Sequence, residues 1–173
     1  MLDAALEELL ATSPSLARPL RGAARGAATE VPVLILGEPG SGRSTLARAL
    51  HAASPRASGP LVEVDVAVGP PALFESELFG HRAGAFTGAT TDRSGRVERA
   101  AGGTLLLDHI EEMPLAAQAK LLRLLAEGRY APVGGDDLAA DVRFMAIAAA
   151  DLERRVAGGA FREDLFYRLE VLT

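Results

Sequence analysis

The sequence contains no cysteine among its 173 residues. That excludes a disulfide framework and any thiolate metal site, and it suits a reducing compartment. It also lacks any Lys- or Arg-rich run and carries a formal charge of −5. The electrostatic footprint of a nucleic-acid-binding segment is therefore missing, and no recognition-helix pattern follows the last strand; direct DNA contact from this segment is not expected. No apolar run approaches the roughly 20 residues of a bilayer-spanning helix. Met1 to Leu10 carries acids where a signal peptide carries bases. The expectation is a cytoplasmic domain without a membrane partner. His51, His81 and His109 sit in separate motifs without metal-ligand spacing, which sets aside a histidine-based metal hydrolase. No repeat or low-complexity tract is present beyond an Ala/Gly/Arg bias.

What is present is enough apolar material, 49% of residues, for one buried core in a chain of single-domain length. Asp3 can cap a short helix through Leu10, and Ser13-Pro14 offers a second start, with the hydroxyl as cap and proline at the first helical position. Ala23 to Glu30 reads as a connector. Val31 to Leu36 is then almost continuously apolar up to Gly37, the pattern of a strand covered on both faces. Similar candidates recur at Leu61 to Val66, Thr104 to Leu107 and Val142 to Ala148. Helical patterns such as Leu115 to Leu125 separate them, so a parallel sheet sandwiched by helices is predicted. Val171 to Thr173 reads as the next strand.

Gly37-Glu38-Pro39-Gly40-Ser41-Gly42-Arg43-Ser44 follows the first strand and opens a helix running through Leu46, Ala49 and Leu50. The spacing is that of a phosphate loop, except that Arg43 stands where lysine is expected. Glycines let backbone N–H groups curl around phosphate oxygens, the helix N-terminus adds partial positive charge, and Ser44 offers a hydroxyl to Mg2+. Arginine keeps the charge but is longer, planar and forked, so it cannot act as a compact point charge between the terminal phosphates.

Downstream stand ESELFGH (Glu75 to His81), GAFTGA (Gly84, Ala85, Phe86, Thr87, Gly88, Ala89), GGTLLLD (Gly102 to Asp108) and FREDLFYRL (Phe161 to Leu169). By these motifs, in this order, the chain resembles the central AAA+ domain of sigma-54-dependent transcription activators, the bacterial enhancer-binding proteins. The likeness runs from about Ser13 to the end, leaving residues 1–12 as an N-terminal extension and 13–173 as the AAA+ α/β subdomain. It implies a P-loop NTPase of AAA+ type without its lid subdomain, and ATP and Mg2+ as cofactors. Gly37, Glu38, Pro39, Gly40, Ser41, Gly42, Arg43, Ser44, Thr45 and Asp108 would hold the nucleotide, with Ser44 and Asp108 facing the metal. The family's receiver and helix-turn-helix domains are not read in these residues.

The GAFTGA stretch has small residues on both sides of one Phe-Thr apex, which suits a contact loop with an aromatic anchor. The competing reading is a plain turn whose phenylalanine folds back. By the resemblance, Phe86 and Thr87 touch the sigma-54 form of RNA polymerase. Arg162 and Arg168 match arginines that reach a neighbouring subunit's ATP, so homologous AAA+ subunits are implied partners; the alternative is a pair of surface arginines bonded to Glu163 or Asp164.

Four positions depart from the family. Arg43 replaces the lysine, His109 the glutamate that orients water, and Ala149 the asparagine that reads the γ-phosphate. Asp65, at the end of the second strand, replaces an asparagine that pairs with that glutamate. Asp65 and His109 should end neighbouring strands, and a pairing would favour imidazolium above the ordinary pKa of about 6.5. Slow or absent ATP hydrolysis is expected. In the rival reading Asp65 orients a neutral His109 that serves as a replacement base. A second functional reading is a non-enzymatic subunit that acts on an intact homologous ring.

Overall fold

A computed structural model describes residues 26–170. The helices expected near Asp3 and Ser13, the boundary between residues 12 and 13, and the strand expected from Val171 lie outside them. Of the expected connector, Gly26 and Ala27 instead have helical backbone.

Four parallel strands form the sheet: β1 (Val33–Leu36), β2 (Leu61–Asp65), β5 (Thr104–Asp108) and β8 (Arg143–Ala148), in the order β1-β8-β5-β2. β1 begins after Val31-Pro32, because proline has no N–H to give a ladder. The two inner strands are continuous apolar runs since both faces are covered. Leu106, Met145 and Ile147, with Val33 and Ile35 of β1, meet Leu46, Ala47 and Leu50 of helix α1 (Arg43–Ala52). Leu105, Leu107, Phe144 and Ala146 point to the opposite layer. That layer is built by α2 (Pro71–Phe79), α4 (Leu115–Glu127), α5 (Leu152–Ala157) and α6 (Glu163–Leu169), joined by the short α3 (Arg96–Arg99). One face per alternate residue is the period-2 rule of a strand. β2 lies at the sheet edge, and its Glu63 turns outward to a forked pair with Arg48 at 2.8 Å.

Two small ribbons decorate this frame. β3 (Gly80–His81) pairs antiparallel with β4 (Arg93–Ser94), and β6 (Arg129–Tyr130) with β7 (Leu138–Ala139). The first ribbon carries the GAFTGA loop at its tip, and the parallel register sets Asp65 opposite Asp108 at the carboxyl edge of the sheet. In an open parallel α/β sheet that edge is where ligands bind.

Candidate nucleotide site and contact loop

At this edge β1 gives way to the phosphate loop. Gly40 and Gly42 hold φ values of 80° and 89°, a region costly to any residue with a side chain. Gly42 is the N-cap of α1 and no side chain caps it. The first helical bond is Leu46 N–H to the Gly42 carbonyl, 2.9 Å. Before it, Ser41 N–H is taken by Glu38 O at 3.2 Å, while the amides of Gly42 to Thr45 have no acceptor among the described residues and are left for an external one, as an anion site requires. Between Glu38-Pro39 and the turn Ala149 to Asp151 opens a cleft of about 580 Å³, within the range of small-molecule sites.

Arg43 does not face that loop's amides as a free cation. Its Nη1 donates to the carbonyls of Gly37 and Ala148, each at 2.7 Å. Ser44 Oγ lies 3.4 Å from Asp108 Oδ2. A hydroxyl and a carboxylate side by side are hard oxygen donors of the kind Mg2+ takes together with water and phosphate oxygens, so the residues present fit that ion.

His109 closes β5 with φ 54° and ψ 45°, the one non-glycine residue at positive φ among the described residues. Its N–H donates to Asp108 Oδ1 at 2.9 Å, and its Nδ1 meets Asp65 Oδ1 at 2.9 Å. The left-handed turn is what aims the ring back at Asp65. The hydrogen bond to Asp65 raises the histidine's pKa above its ordinary value; partial burial opposes this, and the charges of Asp108 and Glu111 add to the rise.

The folded-state pKa is thus above the unfolded one, so the pair stabilises the fold fully below about pH 6.5. That contribution is lost as pH rises through the raised value. Asp65→Asn should therefore destabilise more at pH 6 than at pH 9, values chosen to bracket the titration. Asparagine keeps an acceptor for the Ala67 N–H, which Asp65 holds at 3.0 Å. With the ring 38% exposed, the difference should stay below about 1 kcal/mol. Urea denaturation at both pH values is the measurement, and a pH-independent difference would deny the pairing.

Reading the residues one by one did not single out Glu111. It sits in the 3-10 turn Ile110–Glu112, buried, with Oε1 accepting the Ala149 N–H at 3.2 Å and Oε2 without a partner. The only available signal was an acid packed between the apolar Ile110 and Met113 in a run of carboxylates.

The contact loop is compact. Gly84 N–H donates to Ala89 O at 2.7 Å, Ala89 N–H to Phe86 O at 3.0 Å, and Asp92 accepts the Ala83 N–H and Arg82 Nη1 at 2.8 and 2.9 Å. Arg82 N–H to Val133 O and Val133 N–H to Gly80 O seat the ribbon on the loop between β6 and β7. Gly134 permits this, because a Cβ there would come within 2.8 Å of Ala85 Cβ. Thr87 is exposed, while Phe86 sets its ring edge against His81 at 4.9 Å and remains 37% exposed. It is neither a free apex nor a core residue.

Arg162 forks onto Asp164 at 3.0 and 2.7 Å, and Arg168 donates to the Leu125 carbonyl at 3.1 Å. Both lie at the surface, away from the phosphate loop's own hydrogen bonds. No helix among the described residues is long and apolar enough to cross a membrane, and none of their His, Asp and Glu side chains form a group of three that could hold a metal.

Comparison with known proteins agrees with this fold. Residues 9–173 match a family model described as the Sigma-54 interaction domain. The regulatory protein AtoC of Escherichia coli K12 is 50% identical over 165 residues, covering 95% of this chain and 36% of AtoC. The transcriptional regulator NtrC of Salmonella typhimurium is 48% identical over 166 residues, covering 95% and 35%. NtrX from Brucella abortus, crystallised in complex with ATP, superposes with a TM-score of 0.82 at 39% identity, over 91% of this chain and 34% of NtrX. The P-loop NTPase domain of the Sigma-54 transport activator from E. coli shares the fold, with a TM-score of 0.63 at 23% identity and 92% coverage of each. The chain spans about a third of the length of the curated relatives it matches. A family model over nearly the whole chain, together with relatives at this identity, leaves one assignment: the chain belongs to the Sigma-54 interaction domain family, the AAA+ domain of NtrC- and AtoC-like sigma-54-dependent regulators.

Proposed function

We propose that this chain is the nucleotide-binding, polymerase-facing module of a cytoplasmic sigma-54-dependent activator. It binds ATP with Mg2+ at the phosphate loop, turns it over slowly or not at all, and contacts sigma-54 RNA polymerase through Phe86 and Thr87. The observation that carries the reading is an asymmetry. Arg43 and His109, at the positions that the family uses on a terminal phosphate, are both engaged by other protein groups, whereas the loop between β3 and β4 leaves Thr87 exposed and part of the Phe86 ring open to solvent.

The amides from Gly42 to Thr45 would hold the phosphates, and Ser44 with Asp108 would hold the ion, which when bound neutralises charge between the phosphates. His109 is the residue that would take a proton from water, but the hydrogen bond to Asp65 raises its pKa and so favours the protonated ring, which has no free lone pair to accept one. Ala149 offers no polar side chain to the transferring group. Residues 1–12 form an extension, and residues 13–173 the AAA+ unit. Arg162 and Arg168 serve a neighbouring homologous subunit, Arg162 after leaving Asp164.

Capture of purified sigma-54 polymerase by the full chain tests the partner. Phe86→Ala should weaken capture at least about tenfold, as loss of a central aromatic anchor does. Its thermal transition should barely move, since Phe86 makes a ring-edge contact at the surface. Equal capture by wild type and variant would discard the loop as the contact.

A further inference from the structure

The peptide joining Ala148 to Ala149 is gripped at both ends by opposite charges. Its oxygen accepts Arg43 Nη1 at 2.7 Å, and its N–H donates to Glu111 Oε1 at 3.2 Å. The same guanidinium nitrogen reaches Gly37 O at 2.7 Å, and Gly37 N–H donates to Ala148 O at 3.3 Å. The start of the phosphate loop, the end of β8 and the turn after β5 thus meet at one amide. A cation at the oxygen and an anion at the N–H polarise that amide in the same sense, so each bond strengthens the other.

We propose that Arg43 and Glu111 are paired positioning residues that clamp the 148–149 peptide and hold the guanidinium off the phosphate-binding amides. The site in consequence takes nucleoside diphosphates as readily as triphosphates. This rests on the nucleotide-binding reading above and adds what the site discriminates. A phosphate that draws Arg43 away must break two bonds to backbone carbonyls and weaken the bond that satisfies Glu111. Glu111 is 6% exposed and its other oxygen is already unpartnered, so the weakened state would leave a buried carboxylate poorly bonded, a costly arrangement. A third phosphate therefore gains no cation from Arg43 and no side-chain donor from Ala149. It adds negative charge near Asp108 and Glu111.

Two measurements on the full chain test this. In the first, without nucleotide, the amide proton of Ala149 is followed by NMR in wild type, Arg43→Met, Glu111→Gln and the double variant. The clamp requires an upfield move in each single variant and a non-additive change in the double; an Ala149 signal indifferent to Arg43 would overturn it. In the second, Mg-ATP and Mg-ADP affinities are compared by titration. Wild type should bind the two within about threefold, and Glu111→Ala, which removes the anion that polarises the Ala148 carbonyl and so weakens one of the two bonds holding Arg43, should shift the ratio toward ATP by up to about tenfold, the scale of one charge-assisted bond. A wild type that already favours ATP by more than about tenfold, or a ratio unmoved in Glu111→Ala, would overturn the specificity role. Failure of every variant to bind either nucleotide would instead overturn the nucleotide-binding reading and the specificity with it, while the amide measurement still decides the clamp.

Discussion

Gly103→Ala should lower folding stability by about 3 kcal/mol or more, at the upper end of what overpacking costs. A Cβ at this position would overlap the Pro60 carbonyl oxygen and stand 2.7 Å from the Pro60 nitrogen. Both are backbone of the segment leading into β2, so no side chain can swing aside. The same Pro60 oxygen accepts the Thr104 N–H at 2.8 Å, and the Gly103 oxygen accepts the Arg143 N–H at 3.0 Å. Pushing Pro60 away would therefore disturb the entry of β2, β5 and β8 together. Gly40→Ala is the control: its φ of 80° makes alanine strained, but nothing lies within 4 Å of the added methyl, so about 1 kcal/mol is expected. Urea denaturation of the two variants measures the contrast. A Gly103→Ala protein as stable as Gly40→Ala would mean that the β2-β5 register is wrong.

That glycine also shows why some of the fold was legible in the sequence. β1, β5 and β8 are buried on both faces, and such strands announce themselves as apolar runs whatever surrounds them. The phosphate loop and GAFTGA are legible because backbone curvature and close approach force glycine at fixed offsets. The approach of Asp65 to His109 could be anticipated from the resemblance, in which the residues at these positions pair, and the register that sets Asp65 opposite Asp108, one residue before His109, brings them together. The positive φ of His109 was not legible, since nothing in its neighbours demands it; it follows from the bonds to Asp108 and Asp65. Nor was the fate of Arg43, whose partner Ala148 lies 105 residues away. Whether a guanidinium points to ligand or to backbone is decided by which carbonyls β8 delivers beside it. The edge contact of Phe86 on His81 and the seat on Val133 depend on a two-residue ribbon too short to show a period.

Restoring the three displaced groups should produce the largest change in activity. Arg43→Lys supplies a compact charge that no longer spans two carbonyls, His109→Glu a carboxylate able to orient water, and Ala149→Asn a donor toward the transferring phosphoryl group. Proton transfer and electrostatic stabilisation are each worth about a hundredfold or more, and they act on one transition state. The triple variant should therefore hydrolyse ATP at least about a hundredfold faster than wild type, with single replacements giving little because each leaves the other two functions absent.

The decisive measurement is single-turnover hydrolysis of Mg-ATP by the wild-type chain across pH 5 to 9, a range bracketing the histidine titration. His109→Ala and the triple variant run alongside. The expected result is that wild type and His109→Ala return bound nucleotide as ATP at every pH, while the triple variant forms ADP. Wild-type ADP formation at a rate rising through a histidine-like pKa, and lost in His109→Ala, would contradict the account and make the histidine a working base.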